Sequence, residues 1–177
     1  MRDSDWIRET LNGPLGADEV RRLAKEMPAL RLLELISDED EKVARNAAWV
    51  LTHMPIEEIR KLPQERLIDF AMTTGHPALR RMTLNLIAQQ KIDKEDIRTD
   101  FLDFCLRHMT LLEEPPGVQS LCLKLAQQMC RYYPELTHEF EESVKLLPAE
   151  QFKPGVRYLL RRVQGDPEPT KQRREEP

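Results

Sequence analysis

The chain has 177 residues, of which 40% are hydrophobic and 33% charged, with a formal net charge of −4. That is enough chain for one domain with a buried core and too apolar a mixture for a disordered one. It also lacks the basic excess of a dedicated duplex-DNA binder, although a local basic ridge can exist on an acidic protein.

The opening, MRDSDWIRET, is charged from the outset, and no apolar run approaches the length of a membrane span. A signal peptide and membrane contact are therefore not expected, and a cytoplasmic protein is. Residues 1–28 read as an N-terminal helical cap. DSDWIRETLN (3–12) and ADEVRRLAKEM (17–27) carry helical periodicity and are parted by Gly13-Pro14 and Gly16. Asn12-Gly13 closes the first of them rather than joining two strands.

From residue 29 to 163 the helical segments come in pairs. ALRLLELI (29–36) leads through SDEDEK to VARNAAWVLTHM (43–54), and IEEIRKL (56–62) reads as a linker helix. QERLIDFAMTT (64–74) leads through GHPA to LRRMTLNLIAQQ (79–90). DFLDFCLRHMTLL (100–112) leads through EEPPG to VQSLCLKLAQQMC (118–130). EFEESVKLL (139–147) leads through PAEQFKPG to VRYLLRRV (156–163). Pro28, Pro55, Pro63, Pro77, Pro134 and Pro148 fall between these segments, where a missing N–H does least harm. No stretch of the first 163 residues alternates as a strand does.

The second helices start at Val43, Leu79, Val118 and Val156, spacings of 36, 39 and 38 residues. That period belongs to helical-hairpin solenoids. The stretch SDEDEKVARNAAWVL resembles the HEAT repeat: an acidic loop, a valine, two small residues, then an apolar pair. Ala47 and Ala48 matter because small side chains let helices approach closely. Met82-Thr83, Cys122-Leu123 and Leu160-Arg161 stand where Ala-Ala stood, so the period persists better than the residues do. The resemblance, HEAT-like or armadillo-like, implies an all-α fold: a right-handed α-α superhelix of about four helical hairpins behind the cap. The tail QGDPEPTKQRREEP (164–177) has no apolar residue to bury and is expected to be disordered.

Chemistry is sparse. His53, His76, His108 and His138 are scattered one per region, and THEFEE (137–142) begins like HExxH but has Glu142 where the second histidine is needed. These isolated histidines read as surface or capping residues. No phosphate loop or nucleophile elbow is present. The acidic run DEDE (38–41) lacks the glycine turn and distal glutamate of a calcium loop; it reads as a solvated loop favouring the next helix N-terminus. Cys105, Cys122 and Cys130 lie in apolar helical patterns and read as buried reduced thiols. No cofactor and no metal site are expected, and nothing assembles a catalytic constellation.

The helix at 43–54 poses a question. Val43, Ala47, Val50 and Leu51 form its apolar stripe, and Trp49 sits nearly opposite. The repeat phase gives that tryptophan company. Two, six and ten residues after each second-helix start lie Arg45, Trp49 and His53; Arg81, Asn85 and Gln89; Ser120, Lys124 and Gln128; and Tyr158 and Arg162. In stacked hairpins the second helices line the concave, partner-binding surface. Arg, Trp and Tyr are enriched at binding hot spots. Arg45, Trp49, His53, Arg81, Asn85, Gln89, Lys124, Gln128, Tyr158 and Arg162 are thus the candidate partner-binding residues. They point to a protein or peptide partner of acidic or hydrogen-bonding character. Trp49 packed as core between the first two hairpins is the competing reading.

Nucleic-acid binding is the alternative. Some HEAT-like proteins resemble bacterial alkylpurine DNA glycosylases, which hold DNA in a basic concave surface, and Trp49 and Tyr158 could stack on bases. The catalytic acid of those enzymes has no counterpart that can be placed here residue by residue. A small enzyme, with HEFEE as its only support, is the third reading.

Overall fold

Helices account for about three quarters of what the computed structural model describes, residues 2–165, with side chains from Trp6 onward. The helices are α1 (Arg2–Asn12), α2 (Ala17–Glu26), α3 (Ala29–Leu35), α4 (Glu41–Leu51), α5 (Ile56–Lys61), α6 (Gln64–Thr73), α7 (Pro77–Gln89), α8 (Thr99–His108), α9 (Pro116–Cys130), α10 (Pro134–Lys145) and α11 (Pro154–Gln164). Single 3-10 turns occupy Lys94–Asp96 and Ala149–Gln151. Gln164, assigned to the tail from sequence, is instead the last residue of α11, and Gly165 caps it at φ 78°. That left-handed cap favours glycine. The remainder of the expected disordered tail, 166–177, lies outside the described residues.

Each second helix begins two residues earlier than its first apolar residue, at Glu41, Pro77, Pro116 and Pro154. Three of these starts are prolines, whose missing N–H is one of the four that a helix start leaves unpaired anyway. Where the start is Glu41, Asp40 caps the helix by accepting from the Lys42 N–H at 2.9 Å and the Val43 N–H at 3.4 Å. The same logic corrects α10. Pro134 opens that helix rather than preceding it, so THEFEE lies inside α10 and not at its entrance. In the other direction, α8 stops at His108, and Leu111 and Leu112 stand exposed in the loop.

The first helix of each pair packs on its second: α3 on α4, α6 on α7, α8 on α9, α10 on α11. The second helices also pack on one another in order, α4 on α7, α7 on α9, α9 on α11. Both α1 and α2 pack on α4, which is therefore covered on most of its circumference. It buries Val43, Ala44, Ala47, Ala48, Val50 and Leu51. Aligning the helix starts sets Ala47 beside Thr83, Cys122 and Leu160, all at 0% exposure. Met82, matched to Ala47 from sequence, is one residue out of phase. The buried Thr83 hydroxyl is satisfied by donating to the Leu79 carbonyl at 2.9 Å.

A second recurring position was not visible as such in the sequence. The fourth residue of α7, α9 and α11 reaches the carbonyls where the preceding chain leaves its first helix. Arg80 donates to the Ala71 and Thr74 carbonyls at 3.2 and 2.6 Å. Gln119 donates to the Leu111 carbonyl at 2.7 Å. Arg157 donates to the Glu150 and Phe152 carbonyls at 3.2 and 3.1 Å. The Ala71 and Thr74 carbonyls lie at the end of α6, where a helix leaves acceptors without intrahelical partners; the others lie in the turns that follow α8 and α10. In the first pair the position is Ala44, buried under the cap helices.

The acidic loop is structural. Arg8 on α1 grips Asp38 with two hydrogen bonds, at 2.8 and 2.9 Å, and Asn12 donates to Asp40 at 3.1 Å. Asn46 on α4 returns the tie, donating to the Leu11 carbonyl at 2.7 Å.

Two stability predictions follow from these contacts. Ala47→Leu adds volume where α4 meets its neighbours and should cost about 1–3 kcal/mol in a urea titration. The hydrogen bond from Arg8 holds the Asp38 carboxyl below its ordinary 3.8. The unfolded chain therefore takes up that proton first, and the pairing stabilises the fold above the unfolded value. Asp38→Asn should lower the melting temperature at neutral pH, and the gap to wild type should close as pH falls below about 4.

Candidate partner-binding face

Every candidate residue lies on the accessible side of its helix. Arg45, His53, Arg81, Lys124, Tyr158 and Arg162 are exposed; Trp49, Asn85, Gln89 and Gln128 are half-buried. Trp49 lies between the two expectations set for it. One side packs on the core, while its ring meets the His53 ring edge-on at 6.3 Å between centroids. His53 Nδ1 lies 3.0 Å from the Trp49 carbonyl oxygen. The tryptophan thus sits on the one strip of α4 that its neighbours leave open.

Between repeats, the ladder residues make specific contacts. Arg81 lays its aliphatic stem across the start of α9: a Cβ on Gly117 would come within 2.7 Å of Arg81 Cδ, so glycine admits the approach. Lys124 and Arg162 line one cleft between α9 and α11, of about 200 Å³, with Leu123, Gln127, Leu159 and Val163. Lys124 and Gln128 line a second, of about 480 Å³, between α9 and α10. Arg162 lies 5.8 Å from the centroid of the Tyr158 ring, within cation–π range. Arg45 makes a long ion pair with Glu41, 3.7 Å. Glu41 also accepts from His76 Nε2 at 3.0 Å, while His76 Nδ1 caps α7 by accepting from Ala78 and Leu79. Arg81 and Lys124 have no ion-pair or hydrogen-bond partner among the described residues.

Charge is divided by layer, a feature that reading the ladder alone missed. The four second helices hold eight Lys and Arg and a single carboxylate, Glu41. The four first helices hold four Lys and Arg and nine carboxylates. The signal was present in the sequence as segment-by-segment charge, but it acquires meaning only once the second helices are seen to form one layer.

Not every cation of that layer is available. Arg80, beyond its two carbonyls, donates to Glu114 at 3.2 Å, and Glu114 also takes a 2.6 Å hydrogen bond from His108. His108 stacks on Phe104 at 3.9 Å. It is therefore neither a surface nor a capping histidine; a carboxylate and an aromatic face hold it in a mostly enclosed cluster.

Among the described residues, no three His, Cys, Asp or Glu side chains converge at metal-binding distance. Cys105, Cys122 and Cys130 are free and buried. Burial pushes the Cys105 thiol well above its ordinary range, with Cys122 as its hydrogen-bonding neighbour, the opposite of an activated nucleophile. His138 and Glu139 are exposed on α10, and Glu142 is paired with Lys145 at 2.8 Å. No helix among the described residues is long and apolar enough to cross a membrane.

The adjacent arginines of α7 separate structure from surface. Arg80→Ala removes the donor to two carbonyls and leaves Glu114 with His108 alone, and should cost about 3 kcal/mol. Arg81→Glu should stay within about 0.5 kcal/mol of wild type in the same urea titration.

No curated protein and no solved structure matches this chain. One family model does, over residues 7–166, and that span runs from the cap helix α1 through the end of α11. With its paired helices, its layer of second helices and this match over most of its length, the chain belongs to the HEAT repeat domain family.

Proposed function

We propose that the chain is a non-enzymatic interaction module that binds a protein or peptide on the open face of its second helices. HEAT repeat proteins commonly mediate protein interactions, which supports this reading by fold analogy. The observation that carries it is the division of charge. A layer with eight cations and one carboxylate, on a chain of net charge −4, is set to attract an acidic partner. The ladder residues give that layer its reach: exposed arginine, lysine and tyrosine, with a half-buried tryptophan among them.

The right-handed winding of about four hairpins, with this face on its concave side, belongs to the same proposal. So does the division into a cap, 1–28, and repeats, 29–163, acting as one domain. The packing of α1 and α2 on α4 supports that unity. A cytoplasmic setting fits three free, buried cysteines.

Nucleic acid is the less favoured partner. The chain's net charge of −4 lacks the basic excess of a dedicated duplex-DNA binder, and Arg80 and Arg157 of the cationic layer are occupied by backbone carbonyls.

Photo-cross-linking tests the face. A benzophenone side chain at Arg45 should give discrete protein adducts in lysate, and one at Asp103, exposed on α8, should not. Arg81→Glu with Lys124→Glu should remove the Arg45 adducts. Equal adducts from both positions, or insensitivity to the double variant, would refute the assignment, and nuclease-sensitive adducts would move it to nucleic acid.

A further inference from the structure

We infer that the cleft between α9 and α11 holds a bulky apolar side chain of an acidic peptide segment, with Lys124 and Arg162 pairing the carboxylates that flank it. This rests on the second-helix face being the binding face and names where, and by what chemistry, the partner is anchored. The cleft has an apolar floor and a cationic rim. Leu123 is 2% exposed, and Leu159 and Val163 pack half-buried on the core. Lys124, Gln127 and Arg162 are exposed around them.

Size decides the class of occupant. A volume of about 200 Å³ admits one large side chain and falls short of the roughly 300–1,000 Å³ of small-molecule sites. Charge decides its neighbours. α9 and α11 contain no carboxylate at all. Lys124 has no ion-pair partner among the described residues, and Arg162 turns toward the Tyr158 ring. A carboxylate beside the anchored side chain would meet two cations and no like charge from either helix.

The adjoining cleft, which shares Lys124 and Gln127, is lined by both Arg131 and Glu141, so its charge is mixed where the rim of the α9–α11 cleft is cationic alone.

The segment 166–177 follows α11 directly and includes Asp166, Glu168, Glu175 and Glu176. It is a competing occupant, as are a second copy of the chain, through the acidic first-helix layer, and single-stranded nucleic acid.

The test uses the full chain in fluorescence anisotropy at low salt. The probe is a short fluorescein-labelled peptide of glutamates around one central leucine, and its companion carries alanine at the centre. The leucine peptide should bind saturably and about fivefold or more tighter than the alanine peptide. Lys124→Glu and Arg162→Glu should each weaken it about tenfold without changing the far-ultraviolet melting curve. Equal affinity for the two peptides, or indifference to both variants, would overturn the proposal. So would tighter binding of oligothymidylate, or of peptide to a chain ending at Gly165, which would assign the cleft to nucleic acid or to the chain's own end. Self-association abolished by Lys124→Glu would assign it to a second copy. If neither peptide binds while the Arg45 cross-links persist, the anchor assignment falls and the binding face stands.

Discussion

The side-by-side packing of the second helices is the constraint on which the rest of this structure depends. Each of them buries one flank against its own first helix and another against each adjoining second helix, two for α7 and α9 and one for α4 and α11. Only a narrow strip remains for solvent. The position shared by Ala47, Thr83, Cys122 and Leu160 lies at the closed side of that arrangement, fully buried in all four helices. It is smallest in the first pair and largest in the last. α4, with cap helices as well as repeats around it, takes the smallest side chain at this position; α11, at the end of the stack, takes leucine. The residue that a HEAT pattern writes as alanine thus follows local crowding rather than a fixed identity.

Stacking short helices creates many helix ends, and their carbonyls must find donors. Long side chains of the second helices do this work near both ends. Arg80, Gln119 and Arg157 serve the exits of the first helices, while Gln90 donates to the Ile59 and Leu62 carbonyls at 2.9 and 2.8 Å and Gln164 to that of Val144 at 2.9 Å. The side chains that look most like a functional basic patch in sequence are therefore of two kinds. Arg80 and Arg157 hold turns together, whereas Arg81 and Arg162, two and six residues after Leu79 and Val156, face outward. Between Arg80 and Arg81, one residue of offset, 100° on a helix, separates a structural cation from an available one.

The division of charge between layers follows from the same geometry. The second helices carry a surplus of cations that is unbalanced within their layer. The first helices carry the acid that makes the whole chain negative. Electrostatic partition of this kind steers encounter and sets partner sign more than it adds affinity. On the binding mode we propose, affinity comes from burial, and the apolar-floored cleft beside Lys124 and Arg162 contributes more than the number of charges around it.

The sequence by itself determined the architecture class, because periodicity, proline placement and a 36-to-39-residue recurrence are local signals that need no coordinates. It also placed Arg45, Trp49, Arg81, Lys124 and Arg162 at one helical phase; in the structure the four cations are exposed and Trp49 is half-buried. It misplaced helix ends where proline can open a helix as readily as precede one, as at Pro134. It set Met82 one residue out of phase, because an apolar pair looks the same at either register. Only the tertiary structure decided which arginines are spent on carbonyls, that His108 is enclosed by Phe104 and Glu114, and that Trp49 is half-buried. Those outcomes depend on which helices become neighbours, and distances between residues some thirty positions apart are set by packing rather than by the local pattern of either segment.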